Sequence, residues 1–265
     1  MDADLNKKER SYSFSLYSSF SSKSSFQSNG ASFSSQPFTN DIFQAIKNNN
    51  KFVLISLFIQ SENNIEKFNK TIDFEITPLL FSVTLNHIEC AKALIDMGVD
   101  INKPDELQNT PLHIACLDKN HKIIELLLKG GADVHRLNCF RECPLLSACN
   151  LNDISGVKII LDAGGYPYRR DNRGKSAIHI ASEYGNAELI ELLLNRGVPI
   201  NSQTLDGRTP LYVACMDGQV KTLEFLIKKG ADINRPDRSG RTPLLACYDA
   251  KIKQVLRKYG GKLRP

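Results

Sequence analysis

Three side chains spaced four residues apart, His135, Cys139 and Cys143, are the residues best suited to hold a metal. Zinc accepts imidazole and thiolate ligands, but a structural zinc site closes on four of them. No fourth ligand lies near in sequence, and Cys143 stands directly before a proline, where helices commonly start, so no metal is assigned. His113 and His179 sit in matching contexts, Leu-His-Ile-Ala and Ile-His-Ile-Ala. Such recurrence marks a structural slot. No Ser/His/Asp arrangement, phosphate-cradling glycine loop or HExxH segment is present. No catalytic residue, cofactor or small-molecule substrate is therefore assigned, and the chain is read as not an enzyme.

The elements that carry these residues repeat. Thr77-Pro78-Leu79-Leu80, Thr110-Pro111-Leu112-His113, Cys143-Pro144-Leu145-Leu146, Ser176-Ala177-Ile178-His179, Thr209-Pro210-Leu211-Tyr212 and Thr242-Pro243-Leu244-Leu245 begin at intervals of 33. A glycine follows 21 residues after each of the first five starts, from Gly98 to Gly230, usually behind an apolar triplet such as Leu126-Leu127-Leu128. Proline at a first helical position forfeits no needed N–H, and glycine past a helix end takes the left-handed conformation without a Cβ penalty. Each unit thus parses as a turn, a short helix, a tight connection, a second helix and a glycine stop. Ala115-Cys116, Ala148-Cys149, Ala181-Ser182 and Ala214-Cys215 are small enough to let neighbouring first helices approach closely.

These residues resemble the ankyrin repeat, whose signature is a 33-residue period with Thr-Pro-Leu-His-x-Ala. Thr110 to Ala115 fits that signature residue for residue, and Gly-Ala-Asp recurs at 131 to 133 and 230 to 232. The resemblance implies an all-α solenoid of helix-turn-helix units with projecting β-turn fingers. It assigns repeats to about 40–70, 71–103, 104–136, 137–169, 170–202, 203–235 and 236–261. Residues 1–39 form a tail and 262–265 a short basic C-terminus. The end units are atypical, as caps are. In the first, the loop is about four residues longer than in the others. In the last, 18 residues instead of 21 separate Thr242 from Gly260, which predicts a shortened connection near Tyr248 to Lys251. Arg141-Glu142 replaces the usual glycine-containing turn. The resemblance makes the His113 and His179 slot structural, its imidazole bonding to turn backbone. It also gives Asn102, Asn201 and Asn234 a loop-stabilising role, at positions that are sometimes hydroxylated in the family.

Ankyrin repeats bind partners on a concave surface of finger tips and first helices, so the resemblance nominates the variable positions there. Three residues before the start stand Phe74, Leu107 and Phe140, a row of apolar tips where polar residues are usual. Seven or eight residues after it come Leu85, Leu117, Leu151, Tyr184 and Met216. Contiguous exposed apolar surface marks an interaction site more often than isolated leucines do. Nine of the thirteen arginines lie in the turns that open repeats four to seven. Arg170, Arg173, Arg208, Arg238 and Arg241, with Lys175, are the candidates for pairing an acidic partner, since arginine in a turn suits directed carboxylate contacts.

The expected function is a protein–protein interaction scaffold or adaptor for a segment bearing apolar and acidic residues, acting as a monomer. One alternative is a substrate-recognition subunit of a ubiquitin ligase, disfavoured by the few residues after Gly261. Another is binding to nucleic acid or an anionic membrane through the basic C-terminal half. The formal net charge of +5 permits that reading, but no groove-reading helix or basic amphipathic helix is evident. No apolar run is long enough to span a bilayer. Seven cysteines, an odd number, with no signal-like h-region point to a reducing compartment, the cytosol or the nucleus. Residues 11 to 35 hold thirteen serines among Phe14, Phe20, Phe26 and Phe33, a composition expected to be disordered and open to phosphorylation.

Overall fold

A computed structural model describes residues 37–264 and divides them into two compact units, one ending at Cys139 and one beginning at Phe140. The serine-rich segment lies outside the described residues. No described helix is long and apolar enough to cross a membrane.

The N-terminal unit opens with α1 (Pro37–Lys47), α2 (Lys51–Gln60) and a single turn, α3 (Ile65–Phe68). Two helix pairs follow: α4 (Pro78–Thr84) with α5 (Ile88–Asp96), and α6 (Pro111–Leu117) with α7 (His121–Lys129). The long loop of the first repeat is not an open excursion. Its α3 turn drives Phe68 fully into the core, where the ring meets Phe38 and Phe58 edge-on at 6.2 and 5.3 Å. Helix α1 takes in Pro37 to Thr39, three residues that composition places in the tail, and Thr39 is buried.

The C-terminal unit holds four pairs: α8 (Pro144–Asn150) and α9 (Ile154–Asp162), α10 (Ala177–Glu183) and α11 (Ala187–Asn195), α12 (Pro210–Met216) and α13 (Val220–Lys228), α14 (Pro243–Ala246) and α15 (Ala250–Lys258). Within each unit, first helices stack on first helices and second helices on second helices. The small pairs make the first stack possible: Ala115, Ala148, Ala181 and Ala214 are fully buried, with Cys116, Cys149, Ser182 and Cys215 beside them. Ile124 and Leu127 in one unit, and Ile190 and Leu193 in the other, fill the layer between helices, each worth about 1.5–3 kcal/mol on burial.

First helices start where the sequence says they should. Thr77, Thr209 and Thr242 accept the N–H three residues on through Oγ1 at 3.1, 3.2 and 3.3 Å, with proline next in line. The final repeat corrects one expectation. Its connection, Cys247 to Asp249, is as long as the others, and the helix α14 is the part that is short, with four residues against seven. The cause is a second cap: Asp249 Oδ1 accepts from Lys251 N and Ile252 N at 2.7 and 3.0 Å, starting α15 early enough to seat Ile252 and Leu256 in the core.

Arg141 keeps the turn geometry that glycine usually supplies, at φ 60°, in the same slot as Gly174 and Gly207 at φ 74° and 79°. A side chain there costs about 1–2 kcal/mol in left-handed backbone, partly offset by the greater unfolded freedom of glycine. Arg141→Gly should therefore stabilise the chain by about 0.5–1 kcal/mol, read as a melting temperature higher by about 1–4 °C in a thermal scan. A lower melting temperature would mean that the arginine side chain makes a contact worth more than the strain.

Candidate functional site

Each finger is a tight turn closed on its own base and tied to the next. In the C-terminal unit, Asp171 Oδ1 accepts from Arg173 N and Lys175 N at 2.9 and 2.8 Å, and Asp237 Oδ1 from Ser239 N and Arg241 N at 2.9 and 3.0 Å. These aspartates imitate a backbone turn with a side chain. Adjacent fingers then join through one backbone bond each. Asn172 N donates to Phe140 O at 3.2 Å, Leu205 N to Arg173 O at 3.0 Å, and Arg238 N to Asp206 O at 2.8 Å. The N-terminal unit repeats the device, with Glu106 N to Phe74 O at 3.2 Å and Cys139 N to Leu107 O at 3.0 Å. The three nominated tips, Phe74, Leu107 and Phe140, thus all sit on ladder-forming backbone. Phe74 is 47% exposed, at φ 63°, whereas Leu107 and Phe140 are half-buried.

The helix-end positions divide likewise. Leu85, Leu117 and Leu151 are half-buried, while Tyr184 and Met216 are 44% and 41% exposed at the ends of α10 and α12.

The nominated cations differ in what they have left to offer. Lys175 Nζ is held by Glu183 at 2.5 Å in a half-buried pair, so its charge is answered inside the unit. Arg241 lies on Asp237 through Nε and one terminal nitrogen at 3.2 and 3.1 Å. Arg208 stands over the ring of Tyr212 at 5.9 Å and 3.9 Å from Asp206, and Arg173 is also engaged. Arg170 and Arg238 form no ion pair among the described residues. Both line a cleft of about 580 Å³ between fingers, walled by Ser202, Gln203, Thr204 and Gly207. This open cleft, whose lining also includes Pro199, Pro236 and Asp237, is the candidate site.

A buried network stiffens its floor. Tyr212 Oη donates to Asp237 Oδ2 at 2.7 Å. Burial by itself would raise the Asp237 carboxyl, but hydrogen bonds from Ser239, Tyr212 and the Arg241 backbone, with the Arg241 charge, hold it well below the usual carboxylate range. Asp105, at the same turn position in the N-terminal unit, lacks a cation, and burial pushes it up to about 6. Histidine fills the family slot as the resemblance implies. His179 Nδ1 accepts from Ser176 N at 3.2 Å and its Nε2 donates to Ser202 O at 3.0 Å, reaching into the next repeat. Burial, with Arg170 and Lys175 nearby, lowers its pKa to about 4, so it stays neutral. His113 accepts from Thr110 N at 3.2 Å in the equivalent way.

The loop asparagines are clasps. Asn102 and Asn201 accept, through Oδ1, the N–H of Asp133 and Asp232 at 2.8 and 2.9 Å, and Asn234 that of Lys262 at 2.7 Å. Asn69 does the same for Asp100 N at 2.9 Å, a role missed in the sequence because its repeat lacks the Thr-Pro register. Among the described residues, no three His, Cys, Asp or Glu side chains are grouped to hold a metal ion. Cys139 is exposed and Cys143 buried.

Stacked helix pairs, turn fingers joined by single backbone bonds and histidine caps define a repeat protein built by stacking one recurring helix-pair unit. The chain matches the family model described as ankyrin repeats (3 copies) over residues 42–138, 119–204, 145–237 and 196–260, and so belongs to the ankyrin-repeat family, an all-α solenoid class. It is similar to the crystal structure of the human ASB11 ankyrin repeat domain, with a TM-score of 0.71 and 22% identity over 83% of this chain and 98% of that one. It is also similar to the ankyrin repeat domain of Bcl-3, described as a unique member of the IkappaB protein family, with a TM-score of 0.73 and 23% identity over 82% and 97% of the two chains. No curated protein matches the sequence. At these identities the structural likeness speaks for the fold alone. The family is a non-enzymatic, protein-binding one.

Proposed function

We propose that the chain is an intracellular adaptor that grips a segment of a partner protein by its acidic side chains, with apolar residues as anchors. The observation that carries this reading is the finger cleft lined by Arg170 and Arg238, which form no ion pair among the described residues, while Asp237 in the same lining is held by Arg241. A guanidinium binds a carboxylate through two parallel N–H bonds, giving direction as well as attraction. Tyr184 and Met216 in the same unit offer exposed apolar surface, and Phe74 does so in the N-terminal unit. Aromatic and methionine side chains are favoured anchors at interfaces.

Display of a random peptide library against the full chain tests this directly. Selected peptides should carry Asp or Glu beside Leu, Phe or Ile. The Arg170→Glu/Arg238→Glu chain should bind them at least about tenfold more weakly, a loss of about 1.4 kcal/mol, with unchanged melting temperature. Phe74→Ala/Leu107→Ala/Phe140→Ala should weaken capture on the same readout. Selected peptides without acidic residues, or binding indifferent to the charge reversal, would sink the reading.

A further inference from the structure

The net charge of the chain is concentrated in its last repeat. Residues 242–265 hold six basic side chains, Lys251, Lys253, Arg257, Lys258, Lys262 and Arg264, against one acid, Asp249, a formal charge of +5 that equals the +5 of the whole chain. The other 241 residues balance 28 Lys and Arg against 28 Asp and Glu. None of the six forms an ion pair among the described residues. Asp249 spends one carboxylate oxygen capping α15 through Lys251 N and Ile252 N. Other second helices of the unit carry acids: Asp162 beside Lys158 on α9, Glu188 and Glu191 on α11, and Glu224 between Lys221 and Lys228 on α13. The fold does not ask for a single sign on α15. Lys251 stands in its first turn, where the helix dipole disfavours a cation, and Lys253 and Arg257, four residues apart, repel each other. Only Arg257 and Lys258, in the last turn, suit the dipole. A solvent-facing repeat needs polarity, which mixed charges would supply as well.

We propose that this basic end, α15 with Tyr248 before it and residues 262–264 after it, rests on an anionic lipid bilayer. The surface is a fixed one. Ile252 and Leu256 anchor α15 in the core, and the segment beyond it is pinned to the same repeat, with Thr242 Oγ1 donating to Lys262 O at 2.6 Å and Asn234 Oδ1 accepting from Lys262 N at 2.7 Å. Lys251, Arg257, Lys258, Lys262 and Arg264 are exposed, and Lys253 is half-buried. Lys258 lies 5.5 Å from the ring of Tyr259, a contact that keeps its formal charge. Complementarity calls for an anion, and the kind of side chain selects the bilayer. Four of the six are lysines, compact charges that add up over a diffuse negative surface but lack the planar fork that reads a carboxylate or a base edge. Among them stand Tyr248, 88% exposed, and Leu263, 56% exposed. Tyrosine suits the headgroup level, where its ring is apolar and its hydroxyl wet, and leucine gains only where hydrocarbon is within reach, which a phosphodiester backbone does not offer. Because the apolar side of α15 is committed to the core, attachment is by charge with two shallow anchors, a reversible contact that salt weakens. The finger cleft stays available for its peptide.

Co-sedimentation of the full chain with vesicles tests this. Vesicles of phosphatidylcholine with about a third phosphatidylserine should carry down at least about tenfold more protein than phosphatidylcholine alone, and about 0.5 M salt should release it. Lys251→Gln/Arg257→Gln/Lys258→Gln/Lys262→Gln, all at exposed positions, should cut binding to the anionic vesicles about tenfold with the melting temperature retained. Arg170→Glu/Arg238→Glu lowers the net charge by the same amount elsewhere and should leave vesicle binding within about twofold, which separates the surface from overall charge. Tyr248→Ser/Leu263→Ser, with every charge in place, should weaken vesicle binding about threefold. Equal loss in the two charge variants, equal binding to neutral vesicles or indifference to the serine pair would overturn the proposal. So would tighter binding of a single-stranded or duplex oligonucleotide than of vesicles at equal phosphate concentration.

Discussion

At pH 7.5 the His179→Ala chain should unfold about 3–4 kcal/mol more easily than wild type, and at pH 4 the gap should nearly vanish. The first half follows from what the imidazole holds. It accepts the N–H of Ser176 and donates to the carbonyl of Ser202, and it is fully buried, so truncation orphans buried polar groups and leaves a cavity. The second half follows from linkage. The folded pKa is about 4, below the ordinary value of 6.5, because the site excludes the charged form. The unfolded chain then binds a proton that the folded one refuses. The stability owed to neutral His179 is complete above pH 6.5 and is lost as pH falls through 6.5 towards 4, about 3 kcal/mol over that window. The alanine variant has no such loss, and other titrating groups cancel between the two chains. Denaturant midpoints at pH 7.5, 5.5 and 4 measure the gap. A gap constant with pH would show that the imidazole is not buried in its neutral form.

That histidine was legible in the sequence because the repeat fixes the slot and the slot fixes the partners. The same holds for the threonine caps, the alanine contacts between first helices and the fully buried cysteines: each is dictated by a position in a period. What the period does not encode is which surface charge meets which. Lys175 and Glu183 are eight residues apart, one at the base of a finger and one at the end of α10, and only the folded turn brings them to 2.5 Å. Sequence counted Lys175 among the cations offered to a partner, whereas the fold uses it internally and leaves Arg170 and Arg238 at the cleft. The two ends were opaque for another reason. Outside the register, α3 and the short α14 are set by Phe68 seeking the core and by Asp249 capping early, tertiary demands that no spacing announces.

The finger ladder predicts a graded response to the smallest side chain that can be added. Gly207 lies at φ 79°, and a Cβ there would stand 2.8 Å from the backbone nitrogen of Arg238, the donor that ties this finger to the next. Backbone cannot swing aside as a side-chain end can, so the two fingers must part and the Arg238 N–H to Asp206 bond must lengthen. Gly230, at φ 89°, has nothing within 4 Å of the same hypothetical atom. Gly230→Ala should therefore cost only the left-handed penalty, about 1 kcal/mol. Gly207→Ala should cost about 3 kcal/mol, the excess being the clash and the weakened ladder bond. Because Gly207 and Arg238 both line the cleft, Gly207→Ala should also weaken binding of the selected acidic peptides at temperatures where the chain remains folded, and Gly230→Ala should not. Equal destabilisation by the two alanines would mean that the fingers are loosely joined. A ladder that loose could not hold Arg170 and Arg238 at a fixed separation, and the cleft would lose its claim to read a carboxylate by geometry as well as by charge.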